Sequence, residues 1–273
     1  MLLGIRKLSL ITLLFVTAAV TPTEAACKPF LVVLDPGHGG SDHGAIYKDG
    51  AQAIAEKDLT LLLSREVAAQ LQGKGVRAVL TRREDLDMGL TDRTAIANRL
   101  GANLFISLHM NSARDHASDA EGFETYILNN STDASSKRLA DLENAVLEGS
   151  KAGKKSDVSL IVKDLLIDAN LSESKHLACK IQGQLVGATK TLETGKRKNR
   201  GVKQALFYVL LGADMPSVLV EAGFMSSVVD RTMMMSKWGR HRIAQAIVDA
   251  VTEYRRNAGT PRAARTLASC RVR

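Results

Sequence analysis

Apolar runs of strand length recur along this chain, and most of them are continuous rather than alternating with polar residues. Continuous runs predict strands that are buried on both faces, which is typical of parallel sheets. Between them, apolar residues recur at helical spacing, as in residues 59–71 and 243–254. This alternation predicts an α/β fold: a single domain with a twisted, mostly parallel sheet of about six strands and helices on both faces. The predicted strands are residues 30–34, 76–80, 103–108, 123–128, 205–209 and 218–220.

A long helical insert, about residues 130–200, separates two of these strands and interrupts the alternation. Its centre predicts a helix at residues 157–170, which Ser156 can cap and whose apolar residues form one face. A glycine- and lysine-rich stretch, residues 148–155, precedes this helix like a hinge. Two interpretations follow: an ordinary packed helix, or a movable lid with a regulatory role.

The first 26 residues predict a cleaved signal peptide. Two basic residues precede an apolar stretch at residues 8–20, which is too short to span a membrane comfortably. We expect cleavage after Ala25 or Ala26 and no stable membrane span in the mature chain. Lipid attachment at Cys27 is the less favoured alternative, because a glutamate occupies a position where such signals carry an apolar residue.

The net charge of +8 indicates an anionic binding partner, either a nucleic acid or a cell-wall polymer. An exported chain meets anionic wall polymers, and an aromatic content of 4% leaves little surface for base stacking, so we expect no nucleic acid partner. Much of the positive charge lies in the arginines after residue 254. Residues 257–273 therefore predict a basic, disordered tail, which leaves residues 28–256 as the catalytic domain.

The three cysteines narrow the choice of metal ligands. Cys27, Cys179 and Cys270 are odd in number and irregular in spacing, which fits neither a disulfide framework nor a zinc ribbon. Any metal ion is therefore expected to be held by histidine and carboxylate.

Four residues that are far apart in the sequence are predicted to meet at one edge of the sheet. His38, His109 and Glu221 are expected just beyond the carboxyl ends of predicted strands, and Glu56 opens the helix at residues 56–72. Parallel sheets place their sites at the carboxyl ends of the strands. Two imidazoles and one carboxylate are a common ligand set for catalytic zinc, which keeps a fourth position for water. The sequence thus predicts one Zn²⁺ held by His38, Glu56 and His109.

Glu221 is predicted to be the general base. It ends an apolar strand, so desolvation should raise its pKa toward the range that such a base needs. Asn111, two residues after His109, is a candidate substrate-binding residue that can orient the ligands or a substrate amide; a plain strand-end turn is the alternative. Arg93 and Asn98 are expected to brace the fold. The remaining histidines lack a strand-end position and are interpreted as surface or core residues: His43, His116, His176 and His241.

Taken in order and spacing, these residues resemble the zinc-dependent N-acetylmuramoyl-L-alanine amidases over about residues 30–254. The resemblance implies hydrolysis of the amide between N-acetylmuramic acid and the L-alanine of the peptidoglycan stem, in cell-wall remodelling and cell separation. It implies zinc at His38, Glu56 and His109, and catalysis by Glu221. The motifs that carry it are Leu34-Asp-Pro-Gly-His-Gly-Gly40, Glu56, Thr81-Arg82, Arg93 with Ala97-Asn98, Phe105-Ile-Ser-Leu-His-Met-Asn111, Gly122-Phe-Glu-Thr-Tyr126 and Pro216-Ser-Val-Leu-Val-Glu-Ala-Gly-Phe224.

Residues 160–170 of the insert are similar to the blocking helix of the amidases that separate daughter cells in diderm bacteria. There a helix covers the zinc until a partner with a LytM-like domain removes it. The resemblance therefore implies a periplasmic location, peptidoglycan as partner and an activator protein with a LytM-like domain. No particular carboxylate of the insert matches a role as a cap on the zinc.

Two other functions fit parts of the same pattern. A zinc carboxypeptidase would use the same metal and base to cut within the stem peptide, as a main or second activity. An inactive wall-binding scaffold would use only the basic surface, and it would have no need of Glu221.

Overall fold

The computed structural model describes residues 29–50, 52–113, 120–145, 157–189, 198–257 and 270–272, with the side chains of all but residues 49, 52 and 157–169. The strands are β1 (Leu31–Pro36), β2 (Ile46–Asp49), β3 (Gln52–Ala55), β4 (Arg77–Leu80), β5 (Leu104–Asn111), β6 (Phe123–Leu128), β7 (Asn199–Ala205) and β8 (Ser217–Phe224). The helices are α1 (Glu56–Gly73), α2 (Leu90–Leu100), α3 (Ala134–Asn144), α4 (Asp157–Ala188), α5 (Tyr208–Leu211), α6 (Val228–Met235) and α7 (Lys237–Asn257).

Six strands form one sheet in the order β4-β1-β5-β8-β6-β7. Strands β4, β1, β5 and β8 are parallel to one another, β6 is antiparallel to β8, and β7 is parallel to β6. The predicted mostly parallel sheet is therefore confirmed, with one reversed pair. This reversal places the amino ends of β6 and β7 at the same edge as the carboxyl ends of β1, β5 and β8.

Helices cover both faces of the sheet because alternate residues of each central strand enter different cores. Val32 and Leu34 of β1 pack in one core with residues of α1, α4 and α7. Leu31 and Val33 pack in the other core with residues of α2, α3 and α5. All six residues of β1 are buried, which explains why its sequence is apolar without alternation.

The insert is the crossover between β6 and β7. Parallel strands need such a connection, and helices usually form it. The predicted helix at residues 157–170 is confirmed as helical backbone and extends as α4 to Ala188. The part of α4 from Leu171 onward packs on α7 and β6, through buried residues such as Leu177 and Ile181. The apolar face predicted for residues 158–169 and the hinge at residues 148–155 lie outside the described side chains and residues.

The predicted strand at residues 205–209 is wrong. The strand is Asn199–Ala205, and the apolar residues that follow it form the short helix α5. Strand β7 lies at the edge of the sheet, where a strand needs no continuous apolar run, so its polar sequence gave no signal. The hairpin of β2 and β3 was also missed. Its strands are only four residues long and lie outside the main sheet, so they form no long apolar run.

The cysteine interpretation is also wrong for two of the three residues. Cys179 on α4 and Cys270 form a disulfide across a sequence separation of 91. Val272 then pairs with Val202 of β7, so the chain end lies against the sheet edge. The predicted disorder of the whole tail is therefore wrong for residues 270–272, while residues 258–269 lie outside the described part.

The predicted signal peptide and Cys27 also lie outside the described residues. Among the residues that are described, no helix has the length and apolar character needed to cross a membrane.

Candidate metal centre and active site

The turn after β1 carries His38 in an unusual conformation. Its φ of 59° is one that residues other than glycine rarely adopt. Two buried arginines hold the turn: Arg93 Nη2 donates to the His38 carbonyl at 2.9 Å, and Arg82 Nη2 donates to the Gly37 carbonyl at 2.8 Å. Arg93 also pairs with Asp35 at 2.9 Å. Burial alone would raise the pKa of Asp35, but the charge of Arg93 and three hydrogen bonds hold it below its usual value. The expectation that Arg93 braces the fold is confirmed.

Four side chains from four parts of the fold meet beside this turn. Glu56 Oε1 lies 3.1 Å from His38 Nε2 and 3.2 Å from His109 Nδ1. Glu143 Oε2 lies 3.3 Å and 3.2 Å from the same two nitrogens. All four ligand atoms lie within 4.8 Å of one another, so the group could hold a metal ion. The structure thus brings together the three predicted ligands and adds Glu143, which lies on α3.

Two glycines make room for these side chains. A Cβ on Gly37 would lie 2.5 Å from the His109 ring, and a Cβ on Gly44 would lie 2.5 Å from His38 Cδ2 and 2.7 Å from Glu56 Oε2. Real Cβ atoms do not approach so closely, so any larger residue at either position would displace a ligand. The glycine-rich sequence after β1 is therefore a packing requirement of the site.

Hydrogen bonds orient two of the candidate ligands. Asp42 Oδ2 lies 2.8 Å from His38 Nδ1, which leaves Nε2 to face the centre. Glu56 accepts from the backbone of Met110 at Oε1 and of Ala45 at Oε2, at 2.8 Å and 2.9 Å. Each contact fixes a side chain whose other atoms face the group.

The electrostatics of the group favour an ionised Glu56 carboxylate beside positively charged imidazole. Burial would raise the pKa of Glu56, but the two imidazoles lower it far below its usual range. Burial would lower the pKa of His38, but the carboxylates of Glu56, Asp42 and Glu143 raise it well above its usual value. The carboxylates of the site therefore stabilise positive charge placed between them.

The donor atoms are of the types that hold a metal ion such as zinc. His38 Nε2 is buried and has no hydrogen-bond partner in the described part of the chain, as expected for an atom that faces a cation. A tetrahedron with bonds of 2.0–2.1 Å has edges of about 3.3 Å. The four nitrogen–oxygen distances of 3.1–3.3 Å are close to that edge length, while the whole group spans up to 4.8 Å and is therefore more open than a closed tetrahedron.

Glu221 lies on β8, directly opposite His109 on β5. Its side chain is fully buried, and neither carboxylate oxygen has a hydrogen-bond partner among the described residues. Burial raises the pKa of Glu221 well above its usual value, and the charges of Glu56, Glu143 and Glu124 raise it further. The direction is the one expected for a desolvated general base.

Glu143 was not singled out from the sequence. It lies in the insert on α3, which Asp133 caps by accepting from the backbone of Ser136 at 2.8 Å. This capping pattern was the available signal for the helix. Nothing in the local sequence distinguishes Glu143 from Asp141 on the same helix, because only the path of the chain places one of them at the ligands.

Asn111 contacts the surroundings of Glu221 rather than the candidate ligands. Its Nδ2 donates to Glu124 Oε2 at 2.9 Å, and its Oδ1 accepts from the backbone of Ser112. Asn98 bridges Gly212 and Asp214, which confirms its bracing role. The other described histidines are outside the group: His43 and His241 are exposed and His176 is fully buried, while His116 lies outside the described residues.

Comparisons with known proteins agree with this fold and site. The family model described as N-acetylmuramoyl-L-alanine amidase matches residues 32–253. The amidase AmiA of Salmonella typhimurium is 34% identical over 227 residues, which are 82% of this chain and 75% of that protein. An N-acetylmuramoyl-L-alanine amidase from Clostridium difficile superposes with a TM-score of 0.64 at 26% identity, over 85% of this chain and all of that one. The amidase AmiC2 of Nostoc punctiforme has a TM-score of 0.59 at 31% identity, over 83% and 97%.

A mostly parallel sheet with this group of side chains at one edge defines the chain as an amide hydrolase. It belongs to the N-acetylmuramoyl-L-alanine amidase family.

Proposed function

We propose that the protein is a zinc-dependent N-acetylmuramoyl-L-alanine amidase that cleaves peptidoglycan. The observation that carries this proposal is the convergence of His38, Glu56 and His109 on one point, beside the buried and unpartnered carboxylate of Glu221. His38, Glu56 and His109 would hold the ion. A zinc ion in such a site polarises a carbonyl and lowers the pKa of its bound water to about 7.

The chain's own residues supply the proton transfers. Glu221 takes the proton of the attacking water at a carboxylate oxygen, because burial has raised the affinity of that oxygen for a proton. The same oxygen then gives the proton to the leaving amine of L-alanine. Asp42 keeps the ring of His38 in place throughout. Asn111, whose Nδ2 donates to Glu124, binds substrate beside Glu221 in this proposal.

The disulfide supports export to the periplasm. Disulfides persist in oxidising compartments and are rare in the cytosol, and the bond between Cys179 and Cys270 closes a separation of 91 residues. The proposed organisation is a signal peptide at residues 1–26, a catalytic domain at residues 28–256 and a basic tail at residues 257–273. The proposed cellular role is wall remodelling during cell separation.

Glu143 gives the insert a regulatory role. Its carboxylate is as close to both imidazoles as that of Glu56 is, and its side chain is only 14% exposed. In this position it takes the place that water and the substrate carbonyl need. The crossover therefore holds the enzyme in a blocked state, and an activator with a LytM-like domain would release it.

The experiment that tests this function is a digest of intact muropeptides by the purified protein and by its Glu143→Ala variant, with and without chelator. Release of the whole stem peptide, stopped by chelator and restored by zinc, supports the amidase. Loss of a single terminal alanine instead supports the carboxypeptidase. The absence of cleavage by both the purified protein and Glu143→Ala supports the scaffold. The variants His38→Ala and His109→Ala should lose zinc; stoichiometric zinc in either would refute the ligand assignment.

A further inference from the structure

A row of polar side chains crosses the sheet away from the candidate metal centre. His109 on β5 is paired with Glu221 on β8, and Glu221 is paired with Glu124 on β6. Residues that are directly opposite on neighbouring strands have their side chains on the same face. Arg200, near the start of the edge strand β7, extends this row because its Nε donates to Glu124 Oε1 at 2.5 Å. The row therefore runs from a ligand to the base and on to a cation.

Glu124 fixes this end of the row. Its carboxylate is buried and accepts four hydrogen bonds, from Arg200 and from Lys203 Nζ at Oε1, and from Tyr126 OH and Asn111 Nδ2 at Oε2. With every position on Glu124 occupied, it has no capacity left for substrate. One carboxylate faces two cations here, so the cluster retains a net positive charge next to Glu221.

Arg200 keeps its outer donors available. Only Nε is used for Glu124, and no acceptor among the described residues contacts Nη1 or Nη2. The side chain is 32% exposed, and its guanidinium lies 5.0 Å from the centre of the Phe224 ring, which supports it from one side. A guanidinium that is oriented in this way presents a fork of N–H groups that matches a carboxylate. Lys203, in contrast, is buried and has no exposed arm.

We propose that Arg200 forms a carboxylate-binding subsite that recognises the stem-peptide residue next to L-alanine. Neighbouring strands lie about 4.8 Å apart, so Arg200 on β7 is two spacings, roughly 10 Å, from the β8 strand that carries Glu221. In an extended peptide, the second residue lies roughly 7 Å from the first bond. A peptide bound across the strands, with its scissile amide beside Glu221, thus brings the α-carboxylate of a second-position glutamate to the outer face of Arg200. This inference rests on the proposed function.

The test compares two substrates that differ by one charge. The first is N-acetylmuramoyl-L-alanyl-γ-D-glutamyl-L-lysine, and the second carries a carboxamide in place of the glutamate α-carboxylate. Every protein in this comparison carries Glu143→Ala, so that the proposed block is open, and wild type here means that Arg200 and Lys203 are unchanged. We expect its kcat/KM to be about tenfold or more higher for the carboxylate, as for a hydrogen bond to a charged group. In Arg200→Gln this ratio should fall to about one, and Arg200→Lys should give an intermediate ratio.

Lys203→Gln is the matched control, because Lys203 also donates to Glu124 Oε1. If the effect of Arg200 came only from holding Glu124, both variants would lower kcat/KM equally for both substrates. We expect Lys203→Gln to keep the ratio while the two rates fall together. A wild-type ratio near one, or an unchanged ratio in Arg200→Gln, would overturn the subsite.

Peptide release from intact sacculi separates this inference from the proposed function. If neither the wild type nor Glu143→Ala releases peptide from sacculi, the proposed function fails. If either protein releases peptide but cleaves neither short substrate, the same ratio is measured on sacculi with free and with amidated glutamate. Equal rates on the two kinds of sacculi would leave the amidase intact and remove Arg200 as a specificity residue.

Discussion

Asp42 and Glu56 contact opposite nitrogens of the same ring: Asp42 Oδ2 lies 2.8 Å from His38 Nδ1, and Glu56 Oε1 lies 3.1 Å from His38 Nε2. Asp42 thereby sets which nitrogen faces the metal site. Asp42→Ala should lower zinc affinity about 10–100-fold, the range found when such partners are removed. Competition with a chelator measures this affinity. Asp249→Ala on the exposed side of α7 is the control, and an unchanged affinity for Asp42→Ala would contradict the role.

Glu221→Gln should separate catalysis from metal binding. The substitution keeps the shape of the side chain and removes its basic oxygen, and it breaks no hydrogen bond to a described residue. We expect kcat to fall by about 10²–10⁴-fold, with zinc content and melting temperature retained. Muropeptide hydrolysis, zinc analysis and thermal unfolding measure the three quantities. Near-normal turnover would remove Glu221 from the mechanism, and loss of zinc would make it a ligand.

Glu143→Ala should raise the activity of the isolated protein several-fold, because the fourth position of the site becomes open to water and substrate. Asp141→Ala, on the same helix but exposed, is the matched control. Initial rates on muropeptides at saturating zinc measure the change. Lower activity together with loss of zinc would show that Glu143 is a permanent ligand rather than a block.

Deletion of residues 149–172 tests a separate hypothesis, that the helix predicted at residues 157–170 covers the site, because it leaves Glu143 in place. It should also raise activity, but it removes Leu171, which packs against the core cluster of α4 and α7. If the deletion variant loses activity, its free energy of unfolding must also be measured, because lost packing alone could inactivate it. Glu143→Ala leaves that packing in place.

The disulfide should contribute measurably to stability. Joining Cys179 and Cys270 restricts the unfolded chain, and such bonds contribute about 2–4 kcal/mol. Replacing both cysteines with serine should lower the free energy of unfolding in urea by about this amount. Reductant should destabilise the wild type to a similar extent and leave the double variant unchanged. Equal stability of reduced and oxidised wild type would show that the bond closes a loop that is already ordered.

His176 should make stability depend on pH. Burial and the nearby Lys180 lower the pKa of His176 below 6.5, against the charges of Glu173 and Glu253. A lowered histidine pKa means that the folded state disfavours the proton, so its stability is complete above pH 6.5 and is lost as the pH falls from there. His176→Leu should reduce the loss of unfolding free energy that accompanies acidification from about pH 7.5 to about pH 5.

His241→Leu is the control for this pH profile, because its ring is 57% exposed. If His176→Leu and the wild type lose the same free energy on acidification, another group carries the pH dependence.

The residues at strand ends could be predicted because parallel strands bring distant positions to one edge by a rule of topology. The shared edge was predicted correctly, and Glu56 followed from its place at the start of α1. The expectation that His109 and Glu221 lie just beyond strand ends is wrong, because β5 continues to Asn111 and β8 to Phe224. The buried strands β1, β5, β6 and β8 were readable for the same reason: their sequences must be apolar on both faces.

The rest depends on contacts that local sequence does not encode. The pairing of Cys179 with Cys270 joins residues 91 positions apart, and spacing carries no record of it. Glu143 reaches the ligands only because α3 returns over the sheet edge. Arg200 lies on a polar edge strand that resembles a loop, so the row that ends at its side chain became visible only in the folded chain.

The parallel pairing of β6 and β7 has a consequence for how this enzyme can vary. A chain that leaves the far end of β6 must travel back to the near edge before it can enter β7, and that edge is where the ligands lie. Additions or losses within the crossover would thus change what stands in front of the reaction centre, while the strand register stayed the same. Replacing the crossover between β6 and β7 would therefore change the regulation of the enzyme, while the sheet that carries the ligands and the base stays unaltered.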